Sequence, residues 1–132
     1  MLPHGRAAQQ YLQTQVRSST PLELVVMLYD GAIRATSAAA EAMARRDIPT
    51  RRASLSRAMA IVSEVQSTLD MDRGGEISTQ LDQLYTWMTS QLIDATVRQD
   101  PKPIADVQRT LEILQDGWRQ IAAARPVPES AA

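Results

Sequence analysis

Cysteine and phenylalanine are absent from this 132-residue chain, and histidine occurs once, at position 4. Each gap closes off a class of protein. Without thiols there is no disulfide and no cysteine-based metal site. His4 stands alone in a polar stretch, without the second positioned group that metal ligation or acid–base catalysis requires. No apolar run approaches the ~20 residues needed to span a bilayer, and the opening segment MLPHGRAAQQ lacks the apolar region of a secretory signal. A soluble, cytoplasmic protein is expected. An excess of one charge is missing too: 14 basic against 15 acidic side chains leave a formal charge of -1. Such a balance offers no field to hold nucleic acid through counterion release.

What remains is a helix-former composition. Ala, Leu, Met, Gln, Glu and Arg dominate, and β-branched residues never alternate over a strand length, which predicts an all-α chain. Its length suits one domain, able to bury roughly two-thirds of its unfolded surface without a staple. Thr20, Pro21 and Glu23 spell a capping box with proline at the first helical position, so a helix is expected from about 21 to 46. Asp47 caps a second helix that tolerates Pro49 only in its first turn and ends near Asp70. Gly74 and Gly75, both free to take positive φ, mark the turn into a third helix that runs to Arg98 or Gln99. Asp100 caps the fourth, with Pro101 and Pro103 in its first turn, and that helix fades before Arg125. The chain thus divides into an arm over 1–19, expected to be mobile with a helical turn, a bundle over 20–124 and a disordered tail over 125–132.

Apolar spacing assembles these helices. Ile104, Val107, Leu111, Leu114, Trp118 and Ile121 step by three and four, as do Ile77, Leu81, Leu84, Met88, Leu92 and Ala95, and Leu55, Met59, Val62, Val65 and Leu69. Three helices with one buried stripe each, joined by short connections, predict an antiparallel up-and-down four-helix bundle. The first helix carries more. Leu22, Val25, Val26, Tyr29 and Ile33 fall on one face, and Leu24, Met27, Leu28, Gly31 and Ala35 on another. Two explanations stand side by side. A helix apolar all round is normally the most buried one of its domain. Alternatively the second face lines a groove for a guest helix, with Met27 supplying adaptability and Gly31 with Ala35 permitting close approach.

Other features carry less. DMDRGGE at 70–76 starts like a calcium loop, but the fifth and twelfth positions, which must supply oxygen ligands, are Gly74 and Leu81. No phosphate loop, Ser/His/Asp set or Glu-x-x-His pair is present, so the parts of an enzyme or a di-iron site are missing and no cofactor is expected. Arg45, Arg46, Arg51, Arg52 and Arg57 gather at the first helix turn, and Asp70, Asp72, Glu76 and Asp82 at the second. In an up-and-down bundle those turns lie at opposite ends, which gives either a steering field or simply solvated turns. Trp87 sits beside its helix's stripe instead of within it, as a core flank or an interface anchor.

Three segments in order, SSTPLELVVMLYDGAI, LDMDRGGEISTQLDQLYTWM and the heptads around Trp118, resemble the flagellar secretion chaperones, the FliS-type export chaperones of flagellin. The likeness covers about residues 11–122. It implies a cytoplasmic antiparallel helical bundle that holds flagellin's C-terminal segment before export through the flagellar type III apparatus, so blocking premature polymerisation. It further implies a client site built on Leu24, Met27, Leu28, Gly31 and Ala35 of the first helix, flanked by Tyr85 and Trp87, with Tyr11 and Val16 of the arm lying near it and rearranging when the client arrives. The export gate and a competing regulator are the further partners it suggests. Two departures stand out: Ala95, Thr96 replaces the family's usual Ala-Asn, and Ala7 and Ala8 replace a larger apolar residue before the arm tyrosine, so weaker arm docking is expected. The rival expectation is a structural bundle whose spare face serves only self-association into a dimer; for the chaperone reading a monomer or weak dimer is expected. A ligand-binding or catalytic bundle would need a polar cluster inside the core.

Overall fold

The structure is a computed structural model that describes residues 20–124. The expected arm over 1–19, with Tyr11 and Val16, and the expected tail over 125–132 lie outside the described residues. Four helices follow one another: α1 (Pro21–Arg45), α2 (Ile48–Ser67), α3 (Gly75–Arg98) and α4 (Pro101–Ala124). Among the described residues there is no strand.

The ends of the helices are set by local chemistry. At α1 the Thr20 hydroxyl accepts from the Glu23 N–H at 3.1 Å, and the Glu23 carboxylate accepts from the Thr20 N–H at 2.8 Å. Two of the helix's orphan donors are satisfied in this exchange. The hydrogen bonds to Thr20 hold the Glu23 carboxyl below the usual carboxylate range. Arg46 stops α1 in the left-handed conformation, φ 60°, and its N–H returns to the Ala42 and Met43 carbonyls. Asp47 then caps α2 by accepting from the Thr50 N–H at 3.2 Å. The turn into α3 departs from expectation in one detail. Only Gly75 has positive φ, at 56°, whereas Gly74 has φ -76°. Gly74 is needed for room instead: a Cβ there would meet Ser78 Oγ at 1.6 Å and the Asp70 carbonyl oxygen at 2.7 Å. Before α4, Asp100 accepts from the Lys102 N–H at 3.0 Å.

Connections this short force each helix to return alongside its predecessor. Gln66, late in α2, donates to Asp82 Oδ1 at 2.9 Å and Thr86 Oγ1 at 3.0 Å, early in α3. Gln115, late in α4, donates to Asp30 Oδ1 at 2.9 Å and to the Val26 carbonyl at 3.2 Å, early in α1. The ring is therefore antiparallel throughout, and α1 packs most extensively, on α2 and then on α4. Tyr29, Leu55, Val62, Tyr85, Met88, Leu92, Ile104, Val107 and Leu111 fill the core. The expected stripes shift slightly. In α3 Ile77 stands 69% exposed while Tyr85 is buried in its stead, and at the far end of α4 Ile121 is exposed. Both are terminal positions, where a four-helix ring no longer covers the stripe.

Candidate functional site

The surplus on α1 resolves along the helix, not around it. Positions 24, 28, 32, 35, 39 and 42 step by three and four and so form one ridge. In its second half this ridge is alanine: Ala32, Ala35, Ala39 and Ala42 are all buried, and Thr36 beside them closes its hydroxyl onto the Ile33 carbonyl at 2.8 Å. Small side chains let a neighbouring helix approach closely, and α2 brings Leu55, Ala58 and Val62 into that shared core. In its first half the ridge carries large side chains, and what α2 offers there is Glu64 and Thr68 at its polar end. Leu24, Val25 and Leu28 are accordingly only half-buried. Together with Pro21, Leu22, Glu64 and Thr68 they line an open, largely apolar groove of about 740 Å³.

Leu28 and Glu64 also line an adjoining hollow of about 320 Å³, which continues the groove along α2 past Ile61 and Ala60 to Arg57. Its floor explains Gly31. A Cβ on Gly31 would lie 3.1 Å from Ile61 Cδ1, so the absence of a side chain lets Ile61 settle against α1. The two charges on the rim are available. Arg57 has no hydrogen bond or ion pair among the described residues, and Glu64 accepts only the Ser67 hydroxyl, at 3.3 Å.

The residues singled out from sequence are only partly brought together. Leu24 and Leu28 line the groove, Gly31 underlies it through Ile61, and Met27 is half-buried on the same helix. Ala35, 4% exposed, belongs to the alanine core, so its place on a guest-facing surface is corrected. Tyr85 is corrected as well. At 1% exposed it packs edge-on against Tyr29, ring centroids 6.4 Å apart, and the two hydroxyls share a hydrogen bond across the bundle. A buried phenol needs a partner, and each of these finds it in the other. Burial raises both phenol pKa values; for Tyr29, hydrogen bonding to Tyr85 and the approach of the Trp118 indole N–H partly offset the rise. That indole N–H is buried without a hydrogen bond of good geometry. Trp87 is 36% exposed on α3, and the groove is lined by α1 and α2 without it. Sequence reasoning missed Leu22 and Val25, assigned to the core face, and Arg57, Ile61 and Glu64 of α2. Their i, i+4, i+7 spacing puts those three on one side of the helix, a signal that was legible but pointed to no partner.

Among the described residues no group of three or more His, Asp or Glu side chains could hold a metal ion. The buried polar residues are Thr36, Arg51, Ser78 and Gln115, dispersed over four helices. Among the described residues no helix is long and apolar enough to cross a membrane.

Comparison with known proteins gives one answer. A solved structure described as a flagellar chaperone from bacteria superposes with a TM-score of 0.74 at 23% identity, covering 92% of this chain and 98% of its own, and so shares the fold. The flagellar secretion chaperone FliS of Salmonella typhimurium is 33% identical over 124 residues, 93% of this chain and 92% of its own length. Its namesake in Bacillus subtilis is 31% identical over 110 residues, 83% of this chain and 81% of that one. The family model for flagellar protein FliS matches residues 4–125. With a four-helix fold, near-complete coverage of full-length relatives and a family match over almost the whole sequence, the chain belongs to the flagellar protein FliS family.

Proposed function

We propose that this chain is a cytoplasmic export chaperone that binds the C-terminal helical region of flagellin, keeps it from polymerising prematurely and delivers it to the flagellar type III export apparatus. One observation supports this above the others: the bundle leaves Leu24, Val25 and Leu28 half-buried in an open groove continuous with its core. A soluble domain gains nothing in its own stability from apolar surface left uncovered, whereas a groove of this kind suits an amphipathic guest helix. A client that folds on binding needs such a track to offset the entropy of its ordering. The names of the relatives, flagellar secretion chaperones, fit the same role. The reading includes a rearrangement of Tyr11 and Val16, which precede Pro21 in the sequence, as the client enters. The export gate and a competing regulator are the further partners in this proposal.

Co-purification tests it. Full-length flagellin should be retained on the tagged chain and flagellin lacking its C-terminal helices should not. Equal retention of both would remove flagellin's C-terminal region from the proposal.

A further inference from the structure

The groove has a direction. Arg57 and Glu64 stand on α2 seven residues apart, hence on the same side and separated by about 10 Å along the axis, too far to pair with each other. Ile61 lies between them on the groove floor. Both are exposed, Arg57 has no ionic partner and Glu64 has only a hydroxyl. The two connections that flank α2 repeat this order. Beyond Arg57 the α1–α2 corner displays exposed Arg45, Arg46 and Arg52, and beyond Glu64 the α2–α3 connection displays exposed Asp70, Asp72 and Glu76. Two of these charges are partly compensated, Arg45 by Asp47 at 3.7 Å and Asp70 by Arg73 at 3.9 Å. The sense of the field along the groove is unchanged.

We infer that the guest helix is selected in one orientation by charge: it carries an acidic side chain over Arg57 and a basic one two turns away over Glu64, with apolar side chains between them on Leu24, Leu28 and Ile61. This rests on the proposal that the groove receives flagellin's C-terminal helical region, and it specifies which helix of that region fits and which way it lies. Apolar contact alone cannot do this, because a leucine-lined trough accepts an amphipathic helix in either direction. Opposite charges at the two ends penalise the reversed helix with two like-charge contacts.

The test is the affinity of full-length flagellin for Arg57→Glu, Glu64→Arg and Leu24→Asp, measured at low and at high salt. Both charged residues are exposed, so these variants should melt like the parent. Each reversal should weaken binding by about fivefold at low ionic strength, and the loss should shrink to less than about twofold at 1 M salt, where the screening length is about 3 Å. Leu24→Asp should abolish binding at both. If either charge reversal binds as tightly as the parent, or more tightly, while Leu24→Asp still abolishes binding, the charge assignment is overturned and the groove stands. If Leu24→Asp also binds normally, the groove itself is the wrong place and the inference falls with it. A change in self-association without a change in flagellin affinity would assign the groove to a second copy of the chain and overturn the inference equally.

Discussion

Tyr29 and Tyr85 show how much one pair of side chains can decide. Their hydroxyls are the polar link between diagonal helices α1 and α3, deep in an otherwise apolar centre. Removing one leaves the other unpaired in the core, so Tyr85→Phe should cost about 1–2 kcal/mol in denaturant unfolding. Flagellin binding should survive, because Tyr85 lies away from the groove lining. The sign of the pH effect follows from the direction of the shifts. Both phenols titrate higher in the fold than in the unfolded chain, where tyrosine loses its proton near pH ~10. Their contribution is therefore complete below about pH 10 and is lost as pH rises through the raised folded values. Melting temperatures followed upward from pH 9 should fall more steeply for the parent than for Tyr29→Phe/Tyr85→Phe. Leu24 and Leu28 make the opposite case, large apolar side chains that the fold does not fully use. Leu28 packs in part against the core, so Leu28→Asp should lower the melting temperature as well as abolish binding, whereas Leu24→Asp should abolish binding with circular dichroism and melting nearly unchanged. A collapsed melt for Leu24→Asp would reassign that residue to the core.

At the scale of the element, α1 does two jobs with one ridge. Its alanine half is buried in the core it shares with α2, and its leucine half, the proposed binding surface, stays open because Glu64 and the C-cap Thr68 are what stand opposite it. The capping box at Thr20 and Glu23 pins the first turn of that binding half. Thr20→Ala should destabilise the bundle by about 1 kcal/mol and fray the turn that carries Leu22 and Leu24, weakening flagellin binding in step. The Thr20 N–H holds the Glu23 carboxyl low, and the Thr50 hydroxyl together with the Thr50 N–H holds that of Asp47 low. Unfolded carboxylates take up protons near pH ~4, so the stabilisation these caps provide is present above about pH 4 and is lost as pH falls below it through the depressed folded values. Glu23→Gln should therefore lower the melting temperature slightly at neutral pH, match the parent near pH ~2, and so flatten the acid limb of the profile between about pH 5 and pH 2.

The whole molecule is a bundle in which the two ends of α2 differ in charge and the seam between α1 and α2 stands open. That polarity acts before contact. If flagellin is steered to the groove, its association rate should fall with added salt more than its dissociation rate rises, a difference that stopped-flow mixing would read. The open seam also bears on assembly. If the groove is reserved for a client, the chain should sediment as a monomer at micromolar concentration and form a one-to-one complex when flagellin is added. A dimer that flagellin fails to dissociate would favour the self-association reading.

Much of this was legible before any coordinates. Caps, prolines and turn residues placed the helix ends to within a residue or two, except that α2 stops at Ser67 and not near Asp70, and the three- and four-step stripes of α2, α3 and α4 required an antiparallel ring, because local hydrogen bonding and helical period are encoded within a few neighbouring residues. The motifs from Pro21 to Met88, with the heptads around Trp118, carried the resemblance to the family. What periodicity could not settle was how the surplus on α1 is shared. It divided the helix into two faces, yet Ala35 of one face and Tyr29 of the other are both core, while Leu24 of one and Val25 of the other both line the groove. Tyr85, expected beside the groove, turned inward to meet Tyr29 from a position 56 residues away in sequence. Burial is decided by what stands opposite, and only packing shows that α2 offers leucine and alanine to one half of α1 and a polar end to the other.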